Sequence, residues 1–175
     1  MNYIFLGKGF EEIEAITTID LLRRANIPLT TVSVDPDLVV EGAHGVKVIA
    51  DKLFGNVKFH DAEMLIVPGG QHKMGEHEGM CDLLIRHNAH DGLIAAICMA
   101  PSILGDLGIL DGKQATCYPG FESHLGASYL GGLVVESQNI ITAKGPGLTA
   151  DFAFTIIEKL ASAEIADSVY DAAQY

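Results

Sequence analysis

Three short runs of this chain are apolar at every position: Tyr3 to Leu6, Met64 to Val67 and Leu93 to Ile97. A strand with one wet face alternates apolar and polar residues, because successive side chains point to opposite sides. Runs without alternation predict strands buried on both faces, the situation of a parallel sheet whose crossover helices cover it above and below. The intervening segments supply such helices. Glu11 to Asn26 has acids in its first turn, arginines near its end and Pro28 just beyond, the charge order that suits a helix dipole. Met80, Leu83, Leu84 and His87 recur at helical spacing, as do Phe152, Ile156, Ile157 and Leu160 within Thr149 to Leu160. A last short helix is predicted over Ala163 to Ala172.

The remaining strands are shorter. Leu29 to Val34 reads as a strand broken by Asp35-Pro36-Asp37, and Val46 to Ala50 as a hairpin or edge strand. Gln114 to Cys117 reads as a short strand, and Leu133 to Val135 pairs with Ile140 to Ala143 in a hairpin about Gln138-Asn139. With no linker, repeat or low-complexity stretch, the pattern predicts one α/β domain over residues 1–175.

Composition narrows the function classes. Hydrophobic residues make up 49 % of the chain, enough for a sizeable core, but tryptophan is absent, so aliphatic side chains must fill it. The net charge of −12 disfavours nucleic acid backbones and anionic membrane surfaces as partners. No apolar stretch reaches the roughly 18 residues that a membrane span needs, and the run from Tyr3 ends at Gly7-Lys8-Gly9 too soon for a leader peptide. Three cysteines, Cys81, Cys98 and Cys117, without a CxxC pair or zinc-type Cys/His spacing, suggest a reducing, cytoplasmic setting and no metal.

In parallel sheets, sites form at the carboxyl ends of strands. Cys98 stands there, directly after Leu93 to Ile97, with Pro101 in the first turn of a following helix. The unpaired N–H groups of a helix start favour a thiolate, and a tight strand-to-helix turn lifts a nucleophile above the sheet. The same position would also suit a small core cysteine. Gly69 and Gly70 end another strand, where bare backbone N–H groups can approach a reacting oxygen, or where Pro-Gly-Gly simply turns the chain. Glu11, Glu12 and Glu14 open the first helix, and periodicity does not say which of them points inward. The histidines, including His72, His77, His87 and His90, fall in polar loops or helix ends where solvation is the default.

Taken in order, Gly9-Phe10-Glu11-Glu12-Ile13-Glu14, Val67-Pro68-Gly69-Gly70, Ala95-Ala96-Ile97-Cys98 with Pro101, and Lys144-Gly145-Pro146-Gly147 resemble the ThiJ/PfpI superfamily, nearest to the branch of the parkinsonism-linked protein and its bacterial relatives. The resemblance implies a flavodoxin-like three-layer sandwich, usually a homodimer. It makes Cys98 the reactive cysteine and Glu14 the buried acid that hydrogen-bonds its sulfur. It places Gly69 and Gly70 beside the cysteine as backbone donors, joined by the Met99 N–H as an oxyanion hole. Members are described as metal-free glyoxalases, protein or nucleotide deglycases, redox-responsive stress proteins and chaperones.

Two departures matter. Glyoxalase and deglycase members often carry histidine before the proline after the elbow; here Thr116-Cys117-Tyr118-Pro119 puts Tyr118 there, a poor base with an ordinary pKa near ~10. The protease-type branch has histidine after the cysteine; here Met99 follows, which argues against a peptidase and, with Ala100, for a narrower pocket. The expectation is a cofactor-free, cysteine-dependent enzyme acting on reactive carbonyls, with Cys98 as nucleophile, Glu14 moving the proton and Tyr118 at the pocket. The alternative is a cysteine redox sensor or stress-response chaperone; a thiamine-pathway role finds no phosphate loop to support it.

Overall fold

The computed structural model describes residues 1–70 and 72–175, and of His72, Lys73 and Ala127 the backbone alone. The three apolar runs become neighbouring strands. β1 (Asn2–Leu6) pairs in parallel with β6 (Met64–Val67), and β6 with β7 (Leu93–Ile97). On one side β1 pairs with β2 (Leu29–Ser33), and β2 with the two-residue edge strand β5 (Lys52–Leu53). On the other side β7 pairs with β9 (Ile140–Ala143), which carries the antiparallel edge strand β8 (Val134–Ser137). The order of this mostly parallel sheet is β5-β2-β1-β6-β7-β9-β8.

Helices cover both faces, which is why the central strands do not alternate. Ile4, Met64, Ile66, Ala95 and Ile97 pack toward α1 (Glu12–Arg24), α5 (Thr149–Leu160) and α6 (Ala163–Ala173), against Leu22, Phe152 and Ile156. Tyr3, Phe5, Leu65, Val67, Ile94 and Ala96 take the opposite face under α2 (Glu78–Ala89) and α3 (Ala100–Asp106), against Met80, Leu84 and Ile103. The period-2 pleat thus deals one uniform apolar string into two cores, and the expected flavodoxin-like sandwich is the fold observed.

Two expectations change. Val46 to Ala50 does form a hairpin, but β3 (Val39–Glu41) and β4 (Lys47–Ile49) make a separate two-stranded sheet. Gln114 to Cys117 is not a strand. It lies against β9, both edges of which are already taken by β7 and β8. Instead the Thr116 N–H donates to Thr142 Oγ1 at 2.9 Å, and Ala115 makes a single bridge to Tyr129. A short helix, α4 (Glu122–Leu125), follows this segment.

Ile66 is fully buried in the centre of β6, whereas Ile85 lies on the exposed side of α2. Ile66→Ala should cost roughly 2–5 kcal/mol in urea unfolding, and Ile85→Ala less than about 0.5 kcal/mol.

Candidate active site

The strand order reverses at β1: the chain moves outward to β2 and then returns to the other side at β6. The carboxyl ends of β1, β6 and β7 therefore surround a crevice, and the segments that leave them bring Glu14, Gly69 and Cys98 together.

Cys98 occupies the turn between β7 and α3 in a left-handed backbone conformation, φ 66°. A non-glycine residue held there costs on the order of 1–3 kcal/mol, so its neighbours must hold it. The Cys98 N–H donates to Ala143 O at 2.8 Å, and the Cys98 carbonyl accepts from Tyr118 N at 2.8 Å. The Met99 N–H points to the sulfur. The side chain packs among the residues on the α1 and α5 side of the sheet, and Cys117 among those on the opposite side.

Glu14 lies on the inward face of α1 and is fully buried. Its Oε2 accepts from Gly69 N at 2.7 Å, and the carboxyl hydrogen-bonds the Cys98 thiol. Its Oε1 is buried without a hydrogen-bond partner among the described residues. Burial pushes the carboxyl up to about 7; the Gly69 N–H and the thiol oppose that rise, and the nearby Glu11 charge adds to it. Burial also pushes the Cys98 thiol up, and an ionised Glu14 raises it further, against the pull of the Met99 N–H. The helix start alone therefore does not give the acidic thiol expected from the sequence. Burial raises Cys81 as well, and Cys117 to about 11. What distinguishes Cys98 is a partner that can carry the proton: with Glu14 neutral, the repulsion disappears and its O–H can donate to the sulfur.

The glycines are required by this contact. A Cβ at Gly69 would stand 2.6 Å from both Cys98 Cβ and Glu14 Oε2. Gly70 is left-handed at φ 116° and bridges to Phe10, and a side chain there would run into the backbone of Gly9 and Glu11. In the resting geometry the Gly69 N–H is committed to Glu14 and the Met99 N–H to sulfur. Tyr118 is half exposed, adjoins the elbow through its backbone, and its ring lies over Gly145. A gap of about 10 Å³ beside the elbow is lined by Gly69, Gly70, Met99, Ala100 and also Met74.

The three acids around the start of α1 separate. Glu14 turns inward, and the Glu11 N–H donates to Gly69 O at 2.9 Å. Glu12 reaches across to the β3–β4 turn, where its carboxylate accepts from His44 N at 2.7 Å and meets His44 Nδ1 at 2.8 Å. The Glu11, Glu12 and His44 ligand-type atoms lie within 4.8 Å of one another, and the Glu12–His44 hydrogen bond accounts for that closeness without an ion. No local spacing signals this contact, since the partners are 32 residues apart. Three of the other histidines bond away from the elbow. His77 caps α2 by accepting from Met80 N, His87 bonds Leu93 O and His90 bonds Arg86 O; the side chain of His72 lies outside the described residues.

The DJ-1/PfpI family model matches residues 2–159. Protein DJ-1 homolog A of Arabidopsis thaliana is 37 % identical over 94 % of this chain, which spans 44 % of that protein's length. A Caenorhabditis elegans relative named glutathione-independent glyoxalase DJR-1.2 is 34 % identical over 91 % of this chain and 87 % of its own. The solved structure of oxidised Toxoplasma gondii DJ-1 superposes with a TM-score of 0.96 at 33 % identity, over 99 % of this chain and 97 % of that one. Family match, identity and fold agree: this chain belongs to the DJ-1/PfpI family.

Proposed function

We propose that the chain is a cysteine-dependent enzyme that converts small 2-oxoaldehydes to 2-hydroxy acids. The observation that carries this reading is the buried Glu14 carboxyl against the Cys98 sulfur, pushed up to about 7, where it can both give and take a proton near neutrality. The Cys98 thiolate adds to the aldehyde carbon, and Glu14 delivers a proton to the oxygen, giving a hemithioacetal. Glu14 then removes the proton from that carbon and a proton returns to the neighbouring carbon, which leaves a thioester of the 2-hydroxy acid. Water hydrolyses the thioester and frees the thiol. Each step moves a proton or a water molecule, so the scheme calls for no metal or organic cofactor. The glyoxalase name of the worm relative supports the same reaction class.

One observation favours a second reading, a redox sensor. Cys98 is 7 % exposed, and the gap lined by its neighbours Gly69, Gly70 and Met99 is about 10 Å³, far smaller than a three-carbon substrate, whereas oxidation adds only oxygen atoms to sulfur.

We also infer a homodimer in a reducing compartment. Ile13 and Ile16 on α1, with Val46 and Ile49 on the hairpin that Glu12 binds, leave apolar side chains exposed on adjoining elements.

Three outcomes are expected. In iodoacetamide alkylation at pH 7, Glu14→Leu should slow Cys98 by at least about tenfold, because the thiolate loses its donor; an unchanged or faster rate means that Glu14 acts only as a repelling charge. Methylglyoxal should yield lactate slowly with wild type and not with Cys98→Ser, and Tyr118→His should raise kcat more than it alters KM; no lactate above Cys98→Ser, with rapid peroxide oxidation of Cys98, selects the sensor. Sedimentation should show a dimer that Ile16→Glu weakens.

A further inference from the structure

A second concavity runs along α2, away from the Cys98 elbow. It encloses about 890 Å³ and ends at Gly92, next to the amino end of β7, whereas Cys98 stands at the carboxyl end of that strand. Two short 3₁₀ turns, Phe54–Asn56 and Phe59–Asp61, form its far wall. They present Phe54 and Phe59 half-buried, with ring centroids 5.0 Å apart, and both rings are backed by Phe5 at 6.0–6.1 Å.

The groove lacks the acidic excess of the rest of the chain. Acids outnumber lysines and arginines 23 to 11 overall, yet the groove lining contains Arg86, His60, His87 and His90 with Asp82 as its single acid. Arg86 is exposed and forms no ion pair among the described residues. His90 fixes Nδ1 on Arg86 O at 2.8 Å, which leaves its Nε2 to face outward. An unpaired guanidinium and half-buried aromatic rings lining one groove offer two complementary contacts: a forked donor for a carboxylate or phosphate, and an apolar wall for a planar ring.

We propose that this groove is a binding site for a small aromatic anion, with the ring against Phe54 and Phe59 and the acid group on Arg86. The site stands apart from the Cys98 chemistry and does not depend on it.

The test is titration of ¹⁵N-labelled protein with indole-3-acetate and with adenosine monophosphate, each beside its neutral counterpart, indole-3-acetamide or adenosine. The amides of Gly55, Gly79 and Gly92, which line the groove, serve as reporters. At least one anion should shift these three amides, bind its neutral counterpart's site at least about tenfold more tightly than that counterpart, and lose that advantage in Arg86→Ala, the scale of one charge-assisted hydrogen bond. Which anion prevails distinguishes a carboxylate ligand from a phosphate one. Arg86→Ala removes an exposed side chain without an ion pair, so its unfolding midpoint should match wild type. Equal binding of anion and neutral analogue, affinity unaffected by Arg86→Ala, or shifts confined to Gly69 and Gly70 would overturn the proposal.

Discussion

A carboxyl group buried beside a thiol is an expensive arrangement, and much of this fold serves to maintain it. Neither Glu14 nor Cys98 can ionise without cost in that setting, since burial raises both and an ionised Glu14 raises the thiol further. Two backbone donors reduce the cost, the Gly69 N–H on the carboxyl and the Met99 N–H on the sulfur. The pair behaves as one titrating unit. Because the carboxyl lies higher in the folded chain than in an unfolded one, its contribution to stability is full at acid pH and is lost as pH rises through about 7.

Three elements have to meet within a few ångströms for this unit to exist. The absence of a side chain at Gly69 is as much a part of the site as the two reactive groups, because a single methyl there would occupy the contact between them. The left-handed backbone at Cys98 is held from two directions, by β9 through Ala143 and by the segment at Tyr118. That pinning also explains why residues 114–118 pass close to the sheet without joining it: the N–H groups of Thr116 and Tyr118 serve Thr142 and the elbow, and those of Gln114 and Ala115 go to Ser137 Oγ and Ser128 O, rather than to a ladder.

The parallel sheet and its helices were legible because burial on both faces leaves a mark in every residue of Tyr3–Leu6, Met64–Val67 and Leu93–Ile97. Cys98 was legible because its position after such a run is itself local. The inward turn of Glu14 was not, since helical spacing alone treats Glu11, Glu12 and Glu14 as equals, and only the family resemblance singled it out. The Glu12–His44 contact and the Arg86 groove were invisible, because both depend on segments brought together by crossovers. The strand read over Gln114 to Cys117 failed for a related reason: a β-prone stretch pairs only beside a strand with a free edge, and this one lies against β9, which has none.

The parallel connections carry a consequence for the newly made chain. Asn2 pairs with Met64, and Ile94 with Ile140, so the elbow is closed only after most of the polypeptide has emerged and crossed over. Until then Cys98 is an ordinary cysteine on a mobile chain, with neither the acid nor the amides that tune it. Its special chemistry is acquired late and all together, as a product of long-range loop closure.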